Sequence, residues 1–489
     1  MSGLRDRLLR LRGSSAAGAA ESPGADESSE ALQALELASE ADGKTDNRSA
    51  DEELTDPKHE TVNGYADDIE VLTSDWDDTG VQIIRTAEGS FLLRETRYPL
   101  EHRHGIHQLS ELHEASTGLS AFQSPVNAPK PVRLSRIGGL NGSPSGMPGT
   151  NIEAIAVKPE KVLFLDLETT GLGVGAGNVP FMVGLGFAEG ESFVVQQMLI
   201  RHPAEERAML GYLCEKLLMY SHLITYNGRT FDWPVLLNRF ILNGFRTFRW
   251  EPIHIDLLHP SRSIWRNTLA SCRLSHVEEE RLGIVRTDDV PGSLAPAIYF
   301  QFLADGKPDP LLGVFLHNES DMLSLACLAI RFGHLLSGGL GTRVSNPTEP
   351  EELLRTGLWL EKMGAAEHAA PLFSLLEADS RTPASCLTAL ADRDKKCGNW
   401  TRAVLLWQKA VHMAQHASWP DWDAHIELSM YYEHKTKQFD AALALAETAL
   451  ELAQRRYTSM RIDAKRRAEL ESIHKRVERL RVKSGRLYG

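Results

Sequence analysis

Two acidic residues stand two positions apart in an otherwise apolar stretch, Val-Leu-Phe-Leu-Asp166-Leu-Glu168. Successive side chains of a β-strand point to opposite faces, so a strand here projects both carboxylates on the same face. Two like charges on an apolar strand repel each other and lose hydration, and a divalent cation relieves both effects. Hard oxygen ligands favour Mg²⁺ or Mn²⁺. The alternative interpretation is a strand end at which Asp166 is structural and Glu168 is exposed to solvent.

Two later segments supply further acidic residues and one imidazole. Asp232 follows an Asn-Gly turn and precedes a Trp-Pro pair, a pattern typical of a helix start. Its carboxylate is a candidate metal ligand, but it can equally be the helix N-cap. His317 and Asp321 are four residues apart in a predicted helix, so they share one helical face. An imidazole one turn from a carboxylate suits a general base beside a metal ligand.

These segments together resemble the DEDD 3′–5′ exonucleases, which combine Asp-x-Glu on a first strand, Asn-Gly-x-x-Phe-Asp after a later strand, and an aspartate on the last helix. The order, the spacing and the flanking stretches Pro180–Gly186 and Ile255–Leu258 look most like the YprB-type ribonuclease H-like subfamily. The resemblance covers about 155–335. It implies a site that holds two Mg²⁺ or Mn²⁺ ions. The implied metal ligands, which are catalytic together with His317, are Asp166, Glu168, Asp232 and Asp321.

The third motif departs from both known versions of the pattern. One group of DEDD enzymes has a histidine five residues before the last aspartate, and another has a tyrosine four residues before it. Here His317 lies four residues before Asp321, so a histidine stands at the tyrosine spacing. One residue rotates a helical side chain by about 100°. Whether His317 acts as the general base therefore stays open.

Substrate contacts are expected where the motif strands end. The predicted substrate-binding residues are Thr169, Thr170, Gly171, Asn227 and Phe231. Small hydroxyl side chains and a glycine let a nucleotide backbone approach closely, whereas Phe231 can stack on a terminal base or belong to the core. Arg229, Arg262 and Arg266 are candidate phosphate contacts or solvated surface.

The chain divides by composition into four regions. Residues 1–63 form an acidic, predicted disordered tail; between positions 15 and 60 there are 13 acidic and 3 basic residues. Residues 64–150 read as a small β-containing segment and linker. In 155–336 strands alternate with helices, which predicts an α/β fold, a ribonuclease H-like mixed β-sheet flanked by helices. Residues 350–489 are predicted to form an all-α domain that ends in a basic helix.

The predicted all-α domain contains an internal repeat of 34 residues. Gly364, Ala369 and Phe373 recur as Gly398, Ala403 and Trp407, and a third copy follows near Ala442. Alternating small and large residues at this period are typical of tetratricopeptide repeats, although generic helical hairpins remain an alternative.

Bulk composition limits the possible functions. The 489 residues carry 53 basic and 66 acidic side chains, a net charge of −13, so general polyanion binding is unexpected. Five scattered cysteines without a C-x-x-C pair argue against a disulfide framework. The sequence contains no apolar run long enough to predict a membrane-spanning helix. We expect a cytoplasmic, metal-dependent 3′–5′ exonuclease that acts on single-stranded DNA or RNA, with a protein partner on its repeats. The alternative is a weakly active or inactive nucleic-acid-binding scaffold.

Overall fold

The computed structural model describes residues 72–123, 157–171, 173, 175, 177–414, 421–458 and 463–485. The predicted disordered tail at 1–63 and the whole of 124–150, the linker part of the predicted 64–150 segment, lie outside these residues.

The centre of the fold is a mixed β-sheet. The strands of the described residues are β1 (Val81–Thr86), β2 (Gly89–Pro99), β3 (Arg103–His104), β4 (His107–Gln108), β5 (Val162–Thr169), β6 (Pro180–Glu189), β7 (Ser192–Leu199), β8 (His222–Thr225) and β9 (Ile253–Asp256). The main sheet has the order β1-β2-β7-β6-β5-β8-β9, while β3 and β4 form a separate hairpin. Strands β5 to β7 are antiparallel, and β8 and β9 run parallel to β5.

Helices cover the sheet and continue beyond it. The helices are α1 (Glu111–Leu119), α2 (Glu206–Leu217), α3 (Asp232–Leu242), α4 (Leu258–Trp265), α5 (Leu274–Val277), α6 (Ala295–Asp305), α7 (Leu311–Leu336), α8 (Pro350–Lys362), α9 (Ala366–Ala378), α10 (Ala384–Lys396), α11 (Trp400–Ala414), α12 (Asp423–Tyr431), α13 (Phe439–Thr458) and α14 (Ala464–Gly485). Helices α2 and α3 provide the crossovers that the parallel strands β8 and β9 require. The predicted ribonuclease H-like mixed sheet with flanking helices is therefore confirmed.

The amino-terminal hairpin differs from the sequence prediction. We expected β1 and β2 in a separate small segment, but β2 pairs with β7 from Leu92↔Leu199 to Pro99↔Ser192. The hairpin is thus the outer part of the main sheet. The pairing partner lies far along the chain, and no local pattern announces it. Helix α1 also packs closely on α7 at Gly118 and Gly333. A Cβ on Gly118 would lie 2.0 Å from the carbonyl oxygen of Gly333, so only glycine fits there.

Strand β5 separates its apolar and acidic faces as its alternation predicts. Leu163, Leu165 and Leu167 belong to one hydrophobic cluster, whereas Val162 and Phe164 belong to a second cluster that includes much of α7. By the two-residue period, the acidic residues of β5 share the face of Val162 and Phe164. The last helix of this domain, α7, begins at Leu311, so His317 and Asp321 both lie within it, as predicted.

The carboxy-terminal region is helical, as predicted, and its hairpins share a common geometry. Gly364 and Gly398, 34 residues apart, both adopt a positive φ, of 89° and 81°, at the turn between two helices. Phe373 and Trp407, also 34 residues apart, are both buried. These features are consistent with helical repeats. In the described residues no helix is long and apolar enough to cross a membrane, and all five cysteines are free.

Candidate metal centre

The two acidic residues of the first motif lie near the end of β5. Glu168 is buried, with 7% of its surface exposed, and Asp166 is half-buried. The alternative that Glu168 is an exposed strand-end residue is therefore wrong. The pairing of β5 with β6 is irregular between Glu168 and Thr169, so the strand changes register next to its acidic pair.

Asn318 of α7 reaches Asp166 across a gap that a glycine leaves open. The Nδ2 of Asn318 donates to Oδ2 of Asp166 at 3.0 Å. Gly184 of β6 lies opposite Asp166, and a Cβ there would be 2.1 Å from Oδ1 of Asn318. A glycine at 184 is thus a steric requirement of this contact.

The contact continues as a polar row across the sheet beneath α7. Gln197 of β7 pairs with Gly184, and Arg94 of β2 pairs with Gln197. The Nε2 of Gln197 donates to Oδ1 of Asn318 at 3.1 Å, and Nη1 of Arg94 donates to Oε1 of Gln197 at 2.8 Å. The row therefore positions Asn318 through buried hydrogen bonds. No local sequence pattern marks Gln197 or Arg94 as residues of the site.

Asp232 is the first residue of α3 and is buried. The N-cap position belongs to Phe231, without a side-chain capping bond, so the interpretation of Asp232 as the helix cap is wrong. The loop before it depends on Asp256, whose carboxylate accepts from the backbone N–H of Asn227 at 2.8 Å and of Arg229 at 3.1 Å. Asp256 therefore shapes the turn that presents Asp232.

Asp321 of α7 is held by the guanidinium of Arg286, which was not predicted from the sequence. Arg286 donates to the carboxylate of Asp321 and forms an ion pair of 2.5 Å with Glu278, which is fully buried. These two carboxylates raise the pKa of the Arg286 guanidinium although burial opposes this, so it stays charged. A lone arginine before an acidic loop gives no signal in sequence that it will contact a residue on a distant helix.

His317 lies between two carboxylates. Its Nδ1 is 2.9 Å from Oδ1 of Asp289, and its Nε2 is 3.7 Å from Oδ2 of Asp321. Burial lowers the pKa of His317, but the hydrogen bond to Asp289 and the charge of Asp321 outweigh it and raise the pKa to about 9. With Nδ1 held by Asp289, Nε2 is the nitrogen that faces Asp321.

The four predicted carboxylates lie close enough to perturb one another. Shielding from water raises the pKa of Asp166 well above its usual range, and the charges of Asp321 and Asp232 raise it further. Burial and the charge of Asp166 do the same to the pKa of Glu168. Burial and the charge of Asp256 raise the pKa of Asp232 to about 8. The fold thus gathers acids that repel one another.

The chemistry of this donor set fits a divalent cation. Carboxylate oxygens are the ligands that Mg²⁺ and Mn²⁺ prefer, and a cation offsets the repulsion that raises these pKa values. In the described part of the chain, no three carboxylate, thiol or imidazole groups are already gathered as ligands around one point. Asp166 and Asp321 are each turned to a hydrogen-bond donor, Asn318 and Arg286 respectively.

The predicted substrate-binding residues fall into two groups. Thr169 and Thr170 brace the loop after β5, because Thr169 Oγ1 donates to the carbonyl of Gly171 at 2.7 Å and Thr170 Oγ1 accepts from Val179 N–H at 3.0 Å. Residues 172, 174 and 176 of that loop lie outside the described residues.

The other two predicted contact residues flank the loop that leads to α3. Asn227 is exposed with φ of 68°, and its side-chain oxygen accepts from Thr230 Oγ1 at 2.8 Å. Phe231 is half-buried. The neighbouring Arg229 donates to the carbonyl of His254, so it anchors strand β9.

Comparison with known proteins agrees with the fold. Residues 163–332 match the RNase H superfamily, a span that includes all four acids and His317. The chain is 33% identical to YprB of Bacillus subtilis (strain 168) over 421 residues. The aligned region covers 86% of this chain and 92% of YprB. The chain therefore belongs to the YprB family.

Proposed function

We propose that this protein is a metal-dependent 3′–5′ exonuclease that hydrolyses phosphodiester bonds at single-stranded nucleic acid ends. Membership of the RNase H superfamily indicates nuclease chemistry on nucleic acid. The observation that carries the finer proposal is the placement of Asp166 and Glu168 on one strand, with Asp232 and Asp321 close enough to raise the pKa of Asp166. Two acids on one strand resemble the exonuclease version of the fold.

The proposed ligands of two Mg²⁺ or Mn²⁺ ions are Asp166, Glu168, Asp232 and Asp321. Divalent ions in such sites activate a water for in-line attack and stabilise the leaving 3′ oxygen. They also let a phosphate approach a protein with a net charge of −13.

His317 is the proposed general base. Its Nε2 faces Asp321, and Asp289 holds the opposite nitrogen at 2.9 Å. The carboxylate charges that raise the pKa of His317 are the same charges that bound cations offset. We therefore expect a lower pKa for His317 in the metal-loaded protein, which lets Nε2 accept a proton from water near neutral pH.

A second candidate function rests on the ion pair between Arg286 and Asp321. An arginine that holds a proposed metal ligand favours a weakly active scaffold, which would bind nucleic acid and use its helical repeats to assemble a protein partner. Metal binding then has to displace Arg286, which is also held by buried Glu278.

Degradation assays separate the two functions. Single-stranded DNA and RNA carrying a 5′ label are incubated with Mg²⁺ or Mn²⁺ and the wild type, Asp166→Ala, or the exposed control Asp309→Ala. An exonuclease of this polarity gives a ladder of shortened 5′-labelled products with the wild type and the control but not with Asp166→Ala. Shortening that survives Asp166→Ala contradicts the site, and intact strands in every lane favour the scaffold.

A further inference from the structure

A groove of about 510 Å³ lies between α4 of the ribonuclease H-like domain and α8, the first helix of the carboxy-terminal region. Its basic lining residues are His259, Arg262, Arg266, Arg355 and Lys362, and none of its lining residues is acidic. In a chain of net charge −13, such a concentration of basic groups is a local feature.

The basic residues form two facing stripes. His259, Arg262 and Arg266 follow the three- and four-residue spacing of one helical face, and all three are exposed. Arg355 and Lys362 are seven residues apart, so two turns of α8 bring them to one face of the opposite wall. The positive charges are therefore distributed along the groove and do not converge on one point. Such a distribution suits an extended polyanion.

Buried contacts hold the two walls in a fixed arrangement. The Nε1 of Trp265 donates to Oε1 of Glu352 at 2.9 Å, and Nη1 of Arg355 donates to the carbonyl of Ser263 at 3.0 Å. Arg355 also pairs with Glu351 at 2.7 Å, so part of its charge is already compensated. The exposed arginines of α4 are consequently the main source of positive potential.

Helix α4, one wall of the groove, is connected to the carboxylate site through Asp256. Helix α4 follows directly after β9, and Oδ1 of Asp256 accepts from the backbone N–H of Leu258 at 3.1 Å. The same carboxylate holds the loop at Asn227 and Arg229 that leads to Asp232. The basic stripe therefore begins at His259, three residues after the carboxylate that holds the loop leading to Asp232.

We propose that this groove binds the phosphate backbone of a single-stranded nucleic acid whose 3′ end lies at the four carboxylates. The inference rests on the proposed function, and it assigns to the first repeat helix a role in holding substrate. Successive phosphates upstream of the scissile bond lie between the arginines of α4 and the basic residues of α8. A small polyphosphate is the competing ligand of the same chemistry.

The test measures binding without catalysis. Fluorescein-labelled oligothymidylate and oligouridylate of about 6 and about 20 nucleotides, lengths that bracket typical single-strand sites, are titrated by anisotropy in EDTA. The variant is Arg262→Gln with Arg266→Gln. The matched control is Arg246→Gln with Arg249→Gln, two exposed arginines that precede β9, whereas α4 follows β9, so they lie toward the opposite end of that strand.

For the longer strand the groove variant is expected to bind about tenfold more weakly near 0.1 M salt, and its log–log salt slope is expected to fall by about 1.4, or roughly 0.7 per lost phosphate contact. The control keeps the wild-type affinity. Equal affinity of the two variants overturns the proposal, as does tripolyphosphate that competes as tightly as the longer strand.

A footprint on the wild type covers the case in which the variant does not fold. Bound oligonucleotide is expected to reduce acylation of Lys362 but not of exposed Lys437; equal protection of both overturns the groove. Because no metal is present, this result is independent of hydrolysis. A wild type that binds as described but never shortens a strand contradicts the proposed function and leaves the groove supported.

Discussion

Replacing Asp232 by asparagine is expected to stabilise the metal-free protein. Burial and the charge of Asp256 raise the pKa of Asp232 to about 8, from an ordinary value of 3.8. A folded-state pKa above the unfolded value means that the group supports folding below pH 3.8, and that this support is lost as the pH rises toward 8. At pH 7, below this folded-state pKa, the carboxyl takes up a proton when the chain folds, which destabilises the fold by at most about 4 kcal/mol, at about 1.36 kcal/mol per pKa unit.

We therefore expect Asp232→Asn to raise the free energy of unfolding by about 2 to 4 kcal/mol at pH 7 in EDTA. Urea unfolding from pH 5 to 8 measures it, and the gain should increase with pH. The exposed Asp309→Asn serves as the matched control and should change stability by less than about 0.5 kcal/mol.

Divalent cations should reverse this difference. A ligand that binds only the native state stabilises it in proportion to the logarithm of its concentration over its Kd, and the wild type retains one more carboxylate ligand. With Mn²⁺ present, the advantage of Asp232→Asn should shrink or disappear. A variant that is less stable than the wild type in EDTA, and gains as much from Mn²⁺, would refute the electrostatic reasoning.

Three further substitutions test other parts of the structure by urea unfolding. Arg286→Gln leaves Glu278 buried without its cation and should destabilise the protein by about 3 to 5 kcal/mol. Burial and the charge of Arg229 lower the pKa of His254 to about 4. The wild type therefore loses stability as the pH falls from 6.5 toward 4. At pH 5 the loss is about 2 kcal/mol, and His254→Gln should remove it. Trp265→Phe removes the 2.9 Å bond to Glu352 and should destabilise the protein by about 1 to 3 kcal/mol.

Matched controls make these outcomes specific. Arg343→Gln breaks an exposed ion pair with Glu114 and should change stability by less than about 1 kcal/mol. If Arg286→Gln also changed the free energy of unfolding by less than about 1 kcal/mol, the buried ion pair between Arg286 and Glu278 would be contradicted. Exposed His113→Gln should leave the acid dependence unchanged, and a matching profile for His254→Gln would contradict its buried neutral state. If Trp265→Phe left the free energy of unfolding unchanged, the hydrogen bond between Trp265 and Glu352 would not stabilise the protein.

Local patterns in the sequence sufficed for the elements and for the acidic residues. Alternation of apolar residues placed Asp166 and Glu168 on one face of β5, and the four-residue spacing placed His317 and Asp321 on one face of α7. These relations depend only on the period of a strand or a helix, so a single sequence reveals them.

Contacts between distant segments could not be read in the same way. Arg286 contacts Asp321 across a loop and a helix, and β2 pairs with β7 although strands β3 to β6 and helix α1 lie between them in the chain. The groove likewise exists only because α8 packs against α4. Tertiary packing decides these contacts, and no periodic pattern encodes them. Arg262 was recognised as a basic residue, but its partner wall was not.

The proposed four-carboxylate metal site is tested most directly by counting bound Mn²⁺. Electron spin resonance of free Mn²⁺, titrated against the wild type and Asp166→Ala, measures the number of ions and their affinity. We expect up to two ions on the wild type and a marked loss of binding with Asp166→Ala. Equal binding by both proteins, or no binding by the wild type, would contradict the assignment of Asp166, Glu168, Asp232 and Asp321 as metal ligands.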